Sequence, residues 1–522
     1  MSRSDLVAAV ALALLLPVMV VLSRDFGVTY DERFQQKYGE EIWDYVNGRR
    51  ARAAFDTGFG HQNLYGGSFE LAAVAVQRAF PRSNVYAVRH AVNAAMGWVA
   101  IVFCWLIGRK LFGDLTGALA AVLLLATPRF AGHSMNNPKD IPFAAFGAAA
   151  VYFLVRLRPP APFMTWPHAL KLAAAIGLAL SVRPVGLLFG VYLGLLLLWF
   201  VAEQRAIPRG AALAGLAGRL GVLVVVVVLV GVSAWPWAQA DPIRRPLQAF
   251  FEVSRFDFGG SLLFAGEWIP AFRLPAAYLP TWFAIGLPPV LLAGALLSLL
   301  RLGNRDDRRP LLTLWVFVLL PVTLAVVRGS TLYDGMRHFL FVVPLLAALA
   351  ASGWVAAVRW RSGPARVVAV LLLAAGLAEP VVFAARNHPN EVAYFTPLAG
   401  GPRAAFGRYD MDYWGNCMFG AARWAADRAR EAGMPLAVTG RPEHLVHLNA
   451  ERVGALYFTR PQLGQHHVSI HLLRGPADAV RELASRATVL HRVQTADGAP
   501  LCVVLEGPLF PQIRDRISVS AR

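Results

Sequence analysis

Long, uninterrupted apolar blocks constrain this chain more than any other feature of its sequence. The stretches from Leu6 to Leu22 and from Gly221 to Ala234 are too long and too pure for the core helices of a soluble domain. Charged residues make up only 16% of the 522 residues, against roughly 25% in soluble domains. The sequence therefore predicts an α-helical polytopic membrane protein and excludes a soluble enzyme or a nucleic-acid-binding domain as a description of the whole chain.

Eleven segments are apolar enough to cross a bilayer, which takes about 20 residues per helix. The predicted spans are 5–23, 87–108, 114–131, 140–156, 168–182, 185–202, 217–235, 276–300, 310–327, 338–357 and 366–385. The fifth and sixth are short because Arg183 and Pro184 divide them. No small-residue cleavage site follows the first span, which favours a retained anchor over a cleaved signal peptide.

The positions of arginine and lysine predict the orientation. With a cytoplasmic N-terminus, sixteen cations fall in inside loops and five in short outside loops, as the positive-inside rule requires. The same distribution accounts for the net charge of +18, so no nucleic-acid partner is expected. Three large pieces then lie outside: residues 24–86, 236–275 and 386–522. We expect the chemistry there.

Apolar residues, most of them aromatic, recur at helical spacing in the outside loops. The first loop has two such sets, and the 236–275 loop has one. The sets are Tyr30, Phe34, Tyr38, Ile42 and Tyr45; Phe69, Ala73, Val76 and Phe80; and Phe250, Phe251 and Phe256. They predict amphipathic helices that either line a lipid-facing vestibule for a long-chain substrate or merely pack on the protein surface.

The tail, residues 386–522, has the pattern of a small extracytoplasmic α/β domain. We predict a helix over Gly415–Arg430 that is capped by Gly433, and a second helix over Ala477–Arg486. Predicted strands are Leu436–Thr439, Ala455–Thr459, Val468–Leu473, Thr488–Thr495 and Leu501–Leu505, the last two joined at Asp497-Gly498. The three cysteines match no metal-ligand spacing. A disulfide between Cys417 and Cys502 and two free thiols are both compatible with an outside tail.

Two adjacent carboxylates follow the first span. They are Asp31 and Glu32, within ten residues of its end. Such residues are costly against lipid and useful if they act on a substrate. The alternative is structural, because Asp31 can also serve as the N-cap of a helix that begins at Glu32.

Further polar residues stand at the outside ends of several predicted spans. They are Arg89, His90, Lys139, Asp140, Arg183, Tyr333, Arg337 and His338. Polar residues at membrane depth usually face a cavity, so their convergence predicts an outside-facing polar pocket; snorkelling explains any single arginine but not the set. The span centres lack Asp, Glu and Lys, which disfavours an ion-coupled transporter.

This arrangement resembles the GT-C superfamily of integral-membrane glycosyltransferases, and within it the family 39 branch that includes protein O-mannosyltransferases. The resemblance covers about residues 5–385. It is carried by Asp31-Glu32 after the first span, Arg89, the Lys139-Asp140-Ile141-Pro142 turn, Ser181-Val182-Arg183-Pro184 and the stretch Tyr333–Phe339. It implies a membrane domain over 1–385, followed by the extracytoplasmic α/β domain.

The resemblance implies an inverting transfer of a sugar from a polyprenyl-phosphate carrier to an acceptor hydroxyl at the outer face of a bacterial cytoplasmic membrane. On that basis Asp31 would be the catalytic base, and Glu32, also in the catalytic site, would orient the acceptor or bind a cation. Arg337, His338, Arg183 and Lys139 would bind the donor phosphate. Asp140, Arg89 and Tyr333 would support them. Partners would be the lipid-linked sugar, membrane lipid and an acceptor protein, lipid or glycan.

Two other classes stay open from the sequence. One is a polysaccharide ligase or polymerase, and the other is a non-catalytic membrane scaffold or transporter. No cofactor is certain, a divalent metal remains an option, and neither the donor sugar nor the acceptor can be inferred from these residues.

Overall fold

The computed structural model describes residues 3–57, 60–204, 208–253, 258–360, 362–453, 456–457, 465–485, 487–511 and 513–514. Helices dominate it. The α-helices are α1 (Arg3–Leu22), α2 (Glu32–Val46), α3 (Ser68–Ala79), α4 (Val85–Phe112), α5 (Asp114–Leu125), α6 (Pro128–Asn136), α7 (Asp140–Leu154), α8 (Trp166–Leu180), α9 (Leu188–Gln204), α10 (Gly210–Val232), α11 (Arg244–Val253), α12 (Tyr278–Gly286), α13 (Pro289–Ser298), α14 (Arg305–Val327), α15 (Val343–Ala357), α16 (Gly363–Asn387), α17 (Gly401–Ala405), α18 (Cys417–Ala432), α19 (Glu443–Val453) and α20 (Ala477–Ser485).

The apolar helices make this a multi-pass membrane protein. In the described part of the chain, seven helices are long and apolar enough to cross a bilayer, or up to nine if each of two bent pairs counts as one span. Helices α7 and α8 are apolar but shorter. Each of the eleven predicted spans thus has a helical counterpart, while the number that crosses the membrane stays a prediction. The span Arg337–Ala357 is almost entirely buried and lies at the centre of the bundle.

The two bent pairs differ from the straight spans predicted over 114–131 and 276–300. Helices α5 and α6 meet at 70°, and α12 and α13 at 110°. Proline explains both breaks, because Pro128 and Pro289 open the second helix of each pair and lack the N–H that would continue the first. The first bend turns the buried Arg129, His133 and Asn136 into the protein interior.

The helices predicted in the outside loops are present. Helix α2 buries Tyr38 and Ile42 against the protein and leaves Phe34 exposed, while α3 buries Phe69 and leaves Phe80 exposed. Both helices therefore pack on the bundle with one face. Helix α11 carries Phe250 and Phe251, and Phe256 lies outside the described residues.

A hairpin in the 236–275 loop was not predicted. Strands β1 (Ser261–Phe264) and β2 (Glu267–Pro270) pair antiparallel through Ala265 and Gly266, both at positive φ. The N–H of Gly266 donates to the carbonyl oxygen of Arg408 at 2.9 Å, so the hairpin packs on the tail. Its turn lacks the Asn-Gly or Asp-Gly pair that marks such hairpins most clearly in a sequence.

The tail forms a five-stranded mixed sheet in the order β4-β3-β5-β7-β6. The strands are β3 (Leu436–Arg441), β4 (Leu456–Tyr457), β5 (Val468–Leu472), β6 (Val489–Gln494) and β7 (Pro500–Glu506). Strand β3 runs parallel to β4 and β5, and β7 runs antiparallel to β5 and β6. The predicted helices, strands and terminal hairpin therefore agree with the structure, and α19 is an addition. Of the predicted strand 455–459, only β4 lies among the described residues.

A disulfide joins Cys417, at the start of α18, to Cys502 on β7, with Cα atoms 5.9 Å apart. Peptide mapping without reductant should recover the Cys417–Cys502 crosslink and a free Cys104, the buried thiol. Because the bond closes a separation of 85 residues, reduction should destabilise the tail by about 4.6 kcal/mol in the chain-entropy account. Two alkylatable tail thiols in folded protein would contradict the pairing.

Candidate active site

Asp140 is the centre of a buried charge cluster where several helix ends meet. It is the first residue of α7, and its carboxylate accepts hydrogen bonds from Arg183 and, at 3.1 Å, from Arg337. Asn137 fixes the carboxylate by donating to it at 2.9 Å and by accepting from the backbone N–H of Asp140. The three charged residues are at most 6% exposed. The structure thus brings Asp140, Arg183 and Arg337 together as predicted.

Arg337 is held on both faces by aromatic rings. Its guanidinium carbon lies 4.7 Å from the ring centre of Tyr333 and 4.9 Å from that of Trp414. Asp334 forms an ion pair with Arg337 at 3.1 Å and a second, at 3.6 Å, with Arg474. Burial raises the pKa of Asp334, despite these two cations. Alternating charges therefore run from the bundle into the tail.

Arg474 was missed by the sequence analysis. It lies between β5 and α20, and it pairs with Asp410 at 3.1 Å as well as with Asp334. The stretch from Tyr409 to Gly415 supplies Asp410, and its Tyr413 contacts His133 at 2.7 Å. The tail therefore contributes charged groups to the cluster, although nothing in its sequence periodicity marks them.

Lys139 lies beside the cluster and contacts a different set of residues. Its ammonium donates to Gln62 at 2.9 Å and sits 4.3 Å from the ring centre of Tyr65. Burial lowers the pKa of Lys139 to about 8, and Asp31 opposes that shift. The side chain is therefore a cation at neutral pH that faces the first outside loop.

Asp31 is partly exposed, and its carboxylate has no hydrogen bond or ion pair with any described residue. It occupies the N-cap position of α2, but its side chain does not cap the helix. Its charge acts electrostatically on Lys139, Tyr65, Tyr333 and Arg337. The capping alternative therefore does not account for this side chain, which faces the cluster unpaired.

Glu32 and Arg89 are placed elsewhere. The Glu32 carboxylate accepts from the N–H of Thr29 at 2.8 Å and contacts His90 at 3.0 Å, with 1% of the residue exposed. Burial raises the pKa of Glu32, whereas His90 and Arg89 lower it, and the net shift is downward. Arg89 is buried with Glu70 at 2.5 Å. Both residues thus anchor the first outside loop and do not face the cluster.

An apolar cavity of 180 Å³ leads to the cluster. Its polar lining includes Arg183, His338, Tyr65, Tyr333 and Arg328. Its apolar lining comes mainly from α11, α14 and the segment Phe339–Phe341. Neither Arg337 nor its ion-pair partner Asp140 is among the lining residues. Arg328 is exposed and has no ion pair with any described residue.

The tail holds in place the segment 24–28, which leads to Asp31. The Asn416 side chain accepts from the N–H of Gly27 at 2.8 Å, and Asn449 accepts from Val28 N–H at 2.9 Å and donates to its carbonyl at 3.1 Å. Arg452 donates to the carbonyl oxygens of Arg24, at 2.8 Å, and Phe26. A Cβ at Gly27 would lie 2.6 Å from the Asn416 carbonyl oxygen, so only glycine fits there. These contacts set where Asp31 stands.

A second tail residue approaches Asp31. The ring of His444, on α19, packs edge-on against Tyr30 with centroids 5.0 Å apart. Its Nε2 atom is buried and has no hydrogen-bond partner among the described residues. Burial lowers the pKa of His444, Arg33 lowers it further, and Asp31 opposes both. A neutral imidazole therefore borders the unpaired carboxylate.

The described residues contain no group of three or more His, Cys, Asp or Glu side chains arranged to hold a metal ion. A divalent metal remains an option, as it was from the sequence.

Part of the chain matches a known protein family. Residues 83–235 match the family model described as dolichyl-phosphate-mannose-protein mannosyltransferase. That segment contains Arg89, Lys139, Asp140 and Arg183 and excludes Asp31 and Arg337. No sequence among the curated proteins matches this chain.

Solved structures match over most of the chain. ArnT from Cupriavidus metallidurans, bound to undecaprenyl phosphate, has 16% sequence identity, covers 96% of this chain and 98% of its own, and gives a TM-score of 0.51. The archaeal oligosaccharyltransferase AglB from Archaeoglobus fulgidus, in complex with an inhibitory peptide and a dolichol-phosphate, has 12% identity, covers 88% and 69%, and gives 0.48. The likeness to ArnT shows the fold, a mostly helical membrane bundle with a small C-terminal sheet, as predicted. Together with the family-model match over residues 83–235, it agrees with the predicted resemblance.

Proposed function

We propose that this chain, which has the fold of a GT-C glycosyltransferase, transfers a sugar with inversion from a polyprenyl-phosphate carrier to an acceptor hydroxyl. One observation carries the proposal: an unpaired carboxylate, Asp31, stands near the cationic end of an apolar cavity. The cavity suits the first isoprene units of a carrier lipid, and its end suits a phosphate. The carrier is also consistent with the undecaprenyl phosphate that the ArnT structure contains.

Asp31 is the proposed general base. Inversion requires a base on the face of the sugar opposite the leaving phosphate, within about 3 Å of the acceptor hydroxyl. A carboxylate already engaged in an ion pair would be a poorer base, because the cation would stabilise its charged form. Asp31 has no such partner among the described residues, unlike Glu32, Asp140 and Asp334.

Arg183, Arg328 and His338 are the proposed contacts of the leaving phosphate, because these three line the cavity. Cations that are already in position stabilise the charge that develops as the glycosidic bond breaks, most strongly in a site with little water. Arg337 acts one step away, by holding Asp140, which in turn orients Arg183. Lys139 lies nearer to Asp31 and is proposed to meet the donor phosphate or sugar from that side.

Glu32 is proposed to position Asp31 rather than to take part in the reaction. Its carboxylate holds Thr29 and His90, and so fixes the first turn of α2 immediately after the base. Arg89, through Glu70, anchors α3 against α4 in the same region. Tyr333 forms part of the cavity wall.

This site is proposed to lie outside a cytoplasmic membrane, with the N-terminus inside, because the distribution of cations among the loops favours that orientation. The tail is proposed as the part that meets the acceptor, because His444 and Arg474 bring tail side chains to the neighbourhood of Asp31. The choice among protein, lipid and glycan acceptors is left to experiment.

The proposal is tested with purified protein and radiolabelled polyprenyl-phosphate sugars. Acceptor-dependent release of free carrier phosphate, together with inversion at the anomeric carbon of the product, is the expected result. The same assay in the presence of a chelator tests the need for a metal. A polysaccharide ligase or polymerase would instead release carrier from a donor loaded with an oligosaccharide. A scaffold or transporter would release none from any donor.

Replacement of Arg328 tests the cationic end of the cavity without disturbing a buried ion pair. Because a charge-assisted hydrogen bond contributes roughly 1.5 to 3 kcal/mol, Arg328→Ala should weaken binding of the lipid donor by about tenfold or more. The measurement is the apparent affinity for polyprenyl-phosphate sugar. Arg273→Ala, on an exposed arginine of the same outside loops, is the matched control and should leave that affinity unchanged. Equal affinities in the two variants would remove Arg328 from the donor site.

A further inference from the structure

A second cavity lies at the opposite end of the bundle, at the face predicted to be cytoplasmic. It has a volume of 430 Å³ and is enclosed by the ends of α4, α7, α9 and α14 together with the short segment after α7. The four helix ends belong to four different predicted inside loops. Nothing in the proposed transfer reaction uses this cavity.

The cavity is lined by four cationic side chains and one carboxylate. These are Lys110, Arg158, Arg305, Arg309 and Asp306. Only Arg309 has an ion pair in the described part of the chain, with Glu203 at 3.3 Å, and its guanidinium also lies 4.3 Å from the ring centre of Phe200. The cations thus outnumber the acids that could neutralise them.

The excess positive charge is concentrated and not merely spread along the membrane surface. Arg156 and Arg158 both act on Lys110 by repulsion, and Arg156 is turned toward the hydroxyl of Tyr152, 3.0 Å away. Cations that repel one another around a cavity are stabilised when an anion enters it, because each then gains an opposite charge at short range. The arrangement therefore needs a counter-anion that the chain does not supply.

The rest of the lining indicates which kind of anion fits. Leu111, Leu154, Leu196 and Phe200 form an apolar floor in the lining of the same cavity. A lipid would place an acyl chain along this floor, whereas a soluble anion would leave it without an apolar partner. Basic pockets between transmembrane helices at the cytoplasmic side are suited to anionic headgroups for this reason.

We propose that this cavity binds an anionic glycerophospholipid, with the headgroup phosphate among Lys110, Arg158 and Arg305 and an acyl chain along the apolar floor. The site is separate from the carrier cavity at the other face, so it does not depend on the proposed transferase activity.

The test is lipid retention measured by native mass spectrometry. Wild-type protein from nanodiscs that contain equal amounts of phosphatidylglycerol and phosphatidylcholine should keep bound phosphatidylglycerol. The double variant Lys110→Gln/Arg158→Gln should bind it about thirtyfold more weakly, because each cation near an anionic lipid contributes roughly a fivefold factor to the affinity and the two factors multiply. A cardiolipin arm tests a headgroup with two phosphates.

The matched control is Arg359→Gln/Arg366→Gln, which removes two exposed cations from the same predicted face outside the cavity. It should retain lipid as wild type does. Because Lys110 and Arg158 are exposed, the double variant should keep the wild-type unfolding temperature in nanodiscs of phosphatidylcholine alone. Equal retention by the two double variants would overturn the proposal. So would displacement of the lipid by millimolar inorganic phosphate, which would assign the cavity to a soluble anion.

Discussion

Purified Asp31→Asn protein should fold normally and transfer sugar at least about a hundredfold more slowly than wild type, the low end of what a general base contributes. The amide has nearly the same shape as the carboxylate but cannot accept the acceptor's proton. Folding should be unaffected, because no described residue pairs with this side chain. The readout is the single-turnover rate with saturating lipid donor, which separates chemistry from binding.

Asp44→Asn is the matched control for this variant. Asp44 lies on the same helix, α2, and pairs with Arg49 where both side chains are exposed. The control should therefore retain the wild-type rate. A normal single-turnover rate in Asp31→Asn would remove Asp31 from the chemistry, even if the chain proves to be a transferase by the donor assay.

Asp140→Asn should reduce the free energy of unfolding by about 3 kcal/mol or more. Asp140 neutralises two guanidinium groups that are almost fully buried, and removal of one partner from a buried ion pair leaves uncompensated charge at a cost of about 3 to 5 kcal/mol. Unfolding in detergent or nanodiscs, followed by intrinsic fluorescence, measures the change. Donor binding should weaken as well, since Arg183 loses the group that orients it.

Two further variants test whether the loss of stability comes from the unpaired buried arginines. Asp114→Asn breaks an exposed pair with Arg109 and should change stability by less than about 1 kcal/mol. Asp140→Asn combined with Arg183→Gln removes one of the stranded cations and should recover part of the lost stability. Wild-type stability in the single variant would mean that the two arginines are neutralised by other groups, and the cluster would need a different explanation.

The membrane bundle and the main parts of the cluster could be predicted from the sequence for a physical reason. Apolar spans and their charged ends follow from the cost of placing polar groups in lipid, which acts locally on each segment. The sequence therefore showed charged residues at span ends, where placing a charge in lipid is costly, namely Asp140, Arg183 and Arg337. The broken helices were harder, because a proline opens a helix as readily as it bends one.

The separate roles of Asp31 and Glu32 could not be predicted. The two carboxylates are adjacent in the sequence. Only the contact of Glu32 with His90, 58 residues later, shows that Glu32 is the one engaged in a structural contact. Arg474 and His444 were hidden for a related reason. They belong to a tail in which charged residues are common, so neither residue stands out until the tail is seen packed on the bundle.

The asparagines that hold the approach to Asp31 also bear on when the protein becomes active during synthesis. Gly27 and Val28 leave the ribosome early, yet Asn416 and Asn449, which bind them, follow 389 and 421 residues later. The segment that carries the carboxylate therefore lacks these contacts until the tail has been synthesised and has folded. Chains that end before Asn416 should therefore lack the proposed transferase activity, because Asp31 would not be held at its site.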